Sequence, residues 1–281
     1  MGLAAQWACI LEATAPKPGN VHRGADFEDM SYLDMVLAAS LVGQQMERAA
    51  GGQPLGQTVL QAVEAIRQHI GRNTHLGTVL LLAPLARLPQ EQLHQQGVQQ
   101  ELQRMAPEDA EAVYQAIRRA SPGGLGRVPQ YDVHQQAPAD LLQAMASAAQ
   151  RDRIARQYTT GFADVFQVVV PEMEKNIQRN LGLSPAIVHT YLQLLARWPD
   201  SLILRKCGLE VAQNVSALAQ RIVEQFTPGS PEYYFQVAEL DFYLRSDGHQ
   251  RNPGTTADLV AAGLFVLLRR GTLQPPLRWM I

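Results

Sequence analysis

The segment EATAPKPGNVHRGADFEDM, residues 12–30, places many charged side chains and backbone-breaking residues between two apolar helical stretches. Its two prolines disfavour a helix at the residues before them, and Gly19 and Asn20 tolerate a positive φ. A backbone of this kind can leave amide groups free to bind an anion. Lys17 would add a point charge and Arg23 a bidentate guanidinium, so the segment predicts an anion-binding turn.

Carboxylates crowd together directly after this turn. Asp26, Glu28 and Asp29 would repel one another unless a cation neutralised them, and hard oxygen ligands suit Mg²⁺. A solvated acidic loop is the alternative, and a structural role is the alternative for His22. Glu12 lies one helical turn before the PKPG segment, on the side of its helix that carries small residues. A carboxylate there is expected to be partly buried and to need a hydrogen-bonding or charged partner.

The segment RNTHLGT, residues 72–78, interrupts the chain before another apolar helix. Asn73 or Thr74 can cap that helix, whose first turn would offer free amides and the positive end of a dipole. Gly77 would allow a ligand or a neighbouring chain to approach closely. Ordinary helix capping explains Asn73 and Thr74 equally well, so a binding site and a simple cap both stay open.

A similar arrangement occurs in DGHQRNPGTTADL, residues 247–259. Thr255 and Asp258 have the spacing of a capping box, which is a sufficient structural explanation. His249 and Arg251 precede this helix start, however, and the helix N-terminus points back at them. The pattern predicts a second place where polar groups meet a helix start.

Two further segments supply polar residues. The irregular stretch SPGGLGRVPQYDV, residues 121–133, resembles a phosphate-binding loop only weakly, because it lacks the GK[ST] ending and a preceding strand. A flexible loop or lid is the default interpretation. The segment PDSLILRKCG, residues 199–208, adds Asp200, Arg205 and Lys206.

Helical periodicity extends over nearly the whole chain and must position these segments. The β-like run FQVVV, residues 166–170, is too short and solitary to build a sheet. Without a repeat or a linker, residues 1–281 are predicted to form one all-α globular domain of about ten to twelve helices. The first helix looks buried, and its larger residues fall on one stripe: Leu3, Trp7, Ile10, Leu11 and Thr14.

Composition excludes several classes of protein. The net charge of -2 and the pI near 6.4 provide no basic field, so nucleic acid is not an expected partner. Cys9 and Cys207 form no CxxC motif and are predicted to be packed free thiols. No apolar run reaches ~18 residues and no signal peptide is evident, so we expect a cytoplasmic protein without a membrane span.

Three segments together resemble the triphosphoribosyl-dephospho-CoA synthase family. They are LEATAPKPGNVHRGADFEDM, NTHLGTVLLLAPL and NPGTTADLVAAGLF, which follow the family's order from about residue 11 to residue 266. Where the family usually has PKPGLVD…HKDM, this chain has PKPGNVH…FEDM, and DSLILRKCG stands where the family has DTNxxxRGG. NPGTTADLVA likewise replaces PGGSADLLA, so the chain resembles a divergent branch of the family.

The resemblance implies a transferase that uses ATP together with Mg²⁺. The 2'-hydroxyl of 3'-dephospho-CoA would take the anomeric carbon of the ATP ribose, and adenine would leave. Such a reaction needs negative charge near the anomeric carbon, a base, an acid and cations for the triphosphate. The candidates are Glu12, His22 and Asp29 for catalysis, Asp26, Glu28, Asp29 and Asp258 for metal, and Lys17, Gly19, Asn20, Arg23, Asn73, Thr74, His75, Lys206, Arg251, Thr255 and Thr256 for the nucleotide.

Two alternatives to this function stay open at the level of sequence. One is an enzyme of the same fold with another acceptor in one-carbon (pterin-like) cofactor biosynthesis, where divergent members often occur. The other is a non-catalytic, nucleotide-binding helical protein. Polar residues concentrated at helix breaks favour an enzyme over a scaffold. ATP and a CoA-like molecule are the expected partners, and monomer and homodimer are both open.

Overall fold

The computed structural model describes residues 1–179, 182–277 and 279. This part of the chain contains α-helices and no β-strand, as the periodicity predicts, and fourteen α-helices exceed the expected number because several are short. The helices are α1 (Gly2–Thr14), α2 (Tyr32–Ala50), α3 (Leu55–Ile70), α4 (Leu76–Arg87), α5 (Gln95–Leu102), α6 (Pro107–Ala120), α7 (Leu141–Ala148), α8 (Arg153–Thr160), α9 (Val170–Gln178), α10 (Leu183–Arg197), α11 (Ser201–Cys207), α12 (Leu209–Gln225), α13 (Pro231–Arg245) and α14 (Gly254–Arg270).

The β-branched run at residues 166–170 is helical, because a π-helical turn, Val165–Val169, leads directly into α9. The periodicity predicts a helix over about residues 160–180, and residue 180 lies outside the described residues. No helix in the described part of the chain combines the length and the apolar character that a membrane crossing requires. Cys9 is a buried free thiol, as predicted, whereas Cys207 is only partly buried.

Helices α4 and α14 form the centre of the core. Every residue of α14 from Leu259 to Leu267 is buried, and α14 contacts α1, α4, α10 and α11. A helix that is apolar on all sides is stable only when other helices surround it. Because the first turns of α4 and α14 are the polar segments singled out in the sequence, this packing brings both of them to one place.

Helix α1 buries mainly its small residues. Gly2, Ala5, Ala8 and Cys9 face α2 and α14, and a Cβ added at Gly43 of α2 would lie 2.9 Å from the carbonyl oxygen of Gly2. Helices that pack this closely require small residues at the contact. The predicted burial of the larger stripe is therefore correct for Leu11 and wrong for the others: Leu3 is 57% exposed, and Trp7, Ile10 and Thr14 are only partly buried.

Asp200 joins the starts of two helices that contribute to the site. Its Oδ1 accepts the amides of Leu202 (2.8 Å) and Ile203 (3.2 Å) in the first turn of α11. Its Oδ2 accepts the amide and the hydroxyl of Thr256 in α14, both at 2.7 Å. A carboxylate that is 2% exposed thus satisfies four donors and fixes α11 against α14.

We expect Asp200→Ala to lower the free energy of unfolding by about 2–4 kcal/mol, because it leaves these donors buried without an acceptor. Urea denaturation followed by circular dichroism measures the change. Asp140→Ala is the matched control: Asp140 is also an N-cap, accepting the amide of Leu142 at 2.8 Å, but is exposed, so we expect a loss of about 1 kcal/mol or less. Equal losses of unfolding free energy in the two variants would contradict a stabilising role for the buried hydrogen bonds of Asp200 between α11 and α14.

Candidate active site

A cavity of about 530 Å³ opens where the ends of α1, α4, α6, α11 and α14 meet. Its volume lies in the range of small-molecule binding sites. Segments that are distant in the sequence line it together, including the irregular segment at 121–133 and helices α7 and α8. The candidate residues among those lining it are Glu12, Asn20, Asp29, Asn73, Thr74, Lys206, Thr255 and Asp258.

Two carboxylates form the acidic end of the cavity. Glu12, at the last turn of α1, is buried and pairs with the ammonium of Lys17 at 2.8 Å, so the sequence-based expectation of a buried carboxylate with a partner is confirmed. Asp258, in α14, accepts a hydrogen bond from the hydroxyl of Thr78 at 2.6 Å. Burial, with the charges of Glu12 and Asp200, raises the pKa of Asp258 from 3.8 to about 8 although the Thr78 hydrogen bond opposes the shift.

Asp258 does not cap its own helix. Helix α14 begins at Gly254, so Thr255 already lies in the helix, and its hydroxyl accepts a hydrogen bond from Ser201 at 3.0 Å. The capping-box interpretation is therefore wrong, because Asp258 turns towards α4. There Gly77 makes room for it, since an added Cβ would lie 2.0 Å from Asp258 Oδ2.

The start of α4 shows ordinary capping together with one unsatisfied group. Asn73 Oδ1 accepts the amide of Leu76 at 3.2 Å, which agrees with the capping interpretation, although the N-cap residue itself is His75. His75 is buried, its Nδ1 lies 2.8 Å from the Thr74 hydroxyl, and its Nε2 has no hydrogen-bond partner among the described residues. Burial lowers the pKa of His75 to about 4, so the ring is neutral near pH 7.

Cationic side chains lie on another side of the cavity. Arg205 pairs with Asp152 at 2.5 Å, and the ammonium of Lys206 lies 3.3 Å from Asn252 Oδ1. Burial is the main cause of the lowered pKa of Lys206. Asp29 binds Arg72 at 3.3 Å, and one of its oxygens lies 3.5 Å from His249 Nε2.

The GGLG sequence lies against the cationic side chains of α11. A Cβ at Gly123 would be 2.7 Å from Lys206 Cε, and one at Gly124 would be 2.9 Å from the backbone carbonyl of Arg205. Gly124 also has φ +70°, which favours glycine. The glycines therefore let this segment cover Arg205 and Lys206 and complete that wall of the cavity.

The PKPGN turn has a structural arrangement that its sequence did not reveal. Lys17 is fully buried, and its ammonium also donates to the carbonyl oxygens of Glu12 and Ala15. The amide of Gly19 donates to Asp241 Oδ1 at 2.7 Å, and the Asn20 side chain donates to the Tyr191 hydroxyl at 3.1 Å. Because these donors already have partners, the turn positions Glu12 and does not present an open anion site.

The predicted acidic metal site is not assembled. Asp26 accepts the amide of Tyr32 at 2.6 Å, Asp29 faces Arg72, and Glu28 is exposed, so the three carboxylates diverge. Within residues 1–179, 182–277 and 279, no three His, Cys, Asp or Glu side chains are grouped to hold a metal ion. Only two members of the predicted ligand set, Asp29 and Asp258, line the cavity.

Other predicted nucleotide-binding or catalytic residues lie outside the described lining of the cavity. Arg23 is exposed, and burial lowers the pKa of His22 to about 4. Arg251 bonds Asp247 at 2.8 Å and stacks on Tyr243 with 4.4 Å from its guanidinium carbon to the ring centroid. Lys17, Gly19, Asp26, Glu28, His75 and Thr256 are likewise not among the residues that line it.

Several residues of the cavity wall could not be identified from the sequence. Thr78 lies within the quoted α4 motif, but only the contact with Asp258 shows its function. Arg67 lies on amphipathic α3, and Met145 on α7 has the pattern of a core residue. A helical pattern distinguishes inward from outward positions and does not distinguish a packed core from a cavity wall.

The raised pKa of Asp258 predicts a specific pH dependence of stability. Between about pH 4 and pH 8 the folded protein holds a proton on Asp258 that the unfolded chain has lost, so this group makes stability fall as the pH rises. We expect the free energy of unfolding to fall more from pH 6.5 to pH 8.5 in the native protein than in Asp258→Asn, by up to about 1.4 kcal/mol per pH unit.

Urea denaturation at each pH measures this difference, and the exposed carboxylate of Asp140 provides the control variant Asp140→Asn. The buried histidines make stability rise with pH near 6.5, because their pKa values are lowered in the folded protein, but both proteins contain them and their contribution cancels in the difference. Parallel curves for the native protein and Asp258→Asn would show that Asp258 is ionised throughout the range.

Comparison with known proteins agrees with the resemblance seen in the sequence motifs. A family model described as ATP:dephospho-CoA triphosphoribosyl transferase (CitG) matches residues 1–275. A protein of Pseudomonas syringae pv. tomato (strain ATCC BAA-871 / DC3000), assigned as a 2-(5''-triphosphoribosyl)-3'-dephosphocoenzyme-A synthase, is 25% identical over 133 residues. That match covers 44% of this chain and 45% of the relative, so it spans less than half the length of either protein.

A solved structure extends the similarity to most of the fold. A crystal structure from Archaeoglobus fulgidus, assigned as a triphosphoribosyl-dephospho-CoA synthase, has a TM-score of 0.65 and 25% sequence identity to this chain. The similarity covers 84% of this chain and 99% of that one. Since the family model matches all but the last few residues, the protein belongs to the ATP:dephospho-CoA triphosphoribosyl transferase family.

Proposed function

We propose that this protein transfers the triphosphoribosyl group of ATP to the 2'-hydroxyl of 3'-dephospho-CoA and releases adenine. The observation that carries the proposal is the pair of unlike carboxyl groups in the cavity. Glu12 is paired with Lys17, whereas the pKa of Asp258 is raised to about 8. Two carboxyl groups in different environments can serve as base and acid in one reaction.

Asp258 is the proposed acid, because a carboxyl group with this pKa carries a proton at neutral pH. It would protonate the adenine as the bond to the anomeric carbon breaks. Glu12 would take the proton of the attacking hydroxyl, and its negative charge would stabilise the oxocarbenium-like carbon. Solvent then returns both groups to their starting protonation states, and the products are adenine and the triphosphoribosylated acceptor.

The cationic wall supports triphosphate binding. Lys206 on α11 and Arg72, just before α4, line the same cavity. Charged hydrogen bonds from such groups are the usual means of holding phosphates. Because Lys206 Nζ contacts only the Asn252 amide oxygen at 3.3 Å among the described residues, its charge is available for a substrate.

Mg²⁺ would reach the site as part of the ATP substrate. The donor set fits this description, since Mg²⁺ in nucleotide sites is commonly held by one or two carboxylates together with substrate phosphates. Asp29, which lies beside Arg72 at the cavity, is the proposed carboxylate. When bound, the ion would neutralise part of the charge on the phosphates.

The family description names dephospho-CoA as the acceptor, which supports this function over a pterin-like acceptor or a non-catalytic protein. Both substrates belong to cytoplasmic metabolism, which supports the expected cytoplasmic location. Monomer and homodimer both stay open. Incubation with ATP, Mg²⁺ and dephospho-CoA, followed by chromatography for free adenine, tests the reaction, and adenine release that does not depend on dephospho-CoA would exclude the proposed acceptor.

We expect Glu12→Gln and Asp258→Asn each to lower kcat by roughly 10²- to 10⁴-fold, because each removes one proton-transfer group. In the native protein kcat/KM should fall above about pH 8, where Asp258 loses its proton, and this decline should disappear in Asp258→Asn. Adenine release at several pH values measures both effects. Glu28→Gln, at an exposed residue outside the cavity lining, is the control and should retain native rates.

Lys206→Met should raise the KM for ATP by roughly 10- to 100-fold, because a charge-assisted hydrogen bond to phosphate is lost. The effect on kcat should be smaller, since the ammonium is not proposed to move a proton. Lys175→Met is the matched control, because Lys175 is exposed on α9 and outside the cavity lining. Unchanged KM values in both variants would place the triphosphate elsewhere.

A further inference from the structure

The cavity has two chemically different sides, and α4 stands between them. Thr78 faces α14, where its hydroxyl bonds Asp258. Leu76 and Leu80 are one turn apart on α4, and both line the cavity. Because residues two apart on a helix point about 200° away from each other, these leucines face away from Thr78. Helix α8 packs against α4, and its Tyr158 hydroxyl donates to the carbonyl oxygen of Leu80 at 2.8 Å.

Beyond α4 the wall is aliphatic. Helix α8 contacts α4 and α7, and α7 contacts the end of α6, so these helices form a continuous surface. We call it the apolar wall, and it consists of Leu76, Leu80, Ile117, Leu141, Met145 and Ile154. Four of these residues are buried but keep an exposed fraction of between 2% and 8%. They are Leu80, Leu141, Met145 and Ile154.

Charged groups border the apolar wall, and several of them line the same cavity. Asp152, at the start of α8, pairs with Arg205 at 2.5 Å and thereby stands between the wall and the cationic side chains. Asp132 accepts the backbone amides of Val128 and His134 at 2.9 Å and 2.8 Å. The Tyr114 hydroxyl donates to the carbonyl oxygen of Tyr131 at 3.0 Å. The wall therefore suits a flexible, uncharged and largely aliphatic ligand.

We infer that the apolar wall binds the pantetheine arm of the acceptor, an inference that rests on the proposed function. Each substrate contains adenosine and phosphates, and the arm is the long uncharged part that distinguishes dephospho-CoA. The order of groups in dephospho-CoA also matches the cavity. Its ribose hydroxyl would lie at Glu12, its diphosphate at Arg205, and its arm at the apolar wall beyond Asp152.

This arrangement makes the apolar wall the part of the site that selects the acceptor. ADP is the appropriate probe, because it has the ribose hydroxyls and the diphosphate of dephospho-CoA without the arm. With saturating ATP and Mg²⁺, we expect kcat/KM for dephospho-CoA to exceed that for ADP by at least tenfold. Mass spectrometry of the triphosphoribosylated product distinguishes ADP used as an acceptor from ADP bound in place of ATP.

Met145→Gln places an amide in the apolar wall and should reduce that selectivity ratio at least tenfold. Leu142→Gln is the matched control, because Leu142 lies on the same helix, packs against the core and does not line the cavity. It should leave the ratio at the native value. Thermal unfolding of both variants separates loss of selectivity from loss of folding, since misfolding lowers the two rates together and does not change their ratio.

The outcomes separate the two proposals. Adenine release with neither acceptor would overturn the proposed function, and this inference with it. Equal use of dephospho-CoA and ADP by the native protein would leave the transferase function intact and overturn the role of the apolar wall. A ratio that is high in the native protein and equally high in Met145→Gln would also overturn that role.

Discussion

The first turn of α14 is buried, and the site depends on how its polar side chains are satisfied. Thr255 bonds Ser201, Thr256 bonds Asp200, and Asp258 bonds Thr78. These partners lie on or beside α11 and on α4, so the first two hydrogen bonds fix α11 and the third fixes α4 against α14. An unsatisfied buried polar group costs free energy comparable to a lost hydrogen bond. The geometry of the cavity therefore follows from the need to satisfy these groups.

The same burial accounts for the electrostatics of the site. Glu12 and Asp258 face one cavity, but the chain provides a buried lysine for Glu12 alone. Burial and the remaining negative charge then favour the protonated form of Asp258, which is why its pKa is raised. The two carboxyl groups therefore differ because their surroundings differ: Asp258 favours its protonated form, and Glu12 is paired with a lysine. The unequal pair is what makes a proton-transfer function reasonable.

Some features of the site followed from local sequence, and others did not. The burial of Glu12 was predictable, because its neighbours on one side of α1 are small. The pairing of Glu12 with Lys17 was not predictable, since a lysine in a polar turn is equally consistent with phosphate binding. Two interpretations failed for the same reason. One made Asp258 a helix cap, and the other buried the larger residues of α1. Both assumed that a helix is arranged by its own pattern, whereas α2 and α4 determine which side of it is enclosed.

The sequence by itself determined the helical class, the polar breaks between apolar helices and, through motifs in those breaks, the family. These features depend on local periodicity and on residue order, which a single chain displays directly. Tertiary structure alone decided which polar side chains face the cavity, which are used by neighbouring helices, and which aliphatic residues form a wall. Those outcomes depend on contacts between residues far apart in the chain, such as Thr78 and Asp258, which are separated by 180 positions. A local pattern contains no information on such contacts, because they arise only when the helices pack.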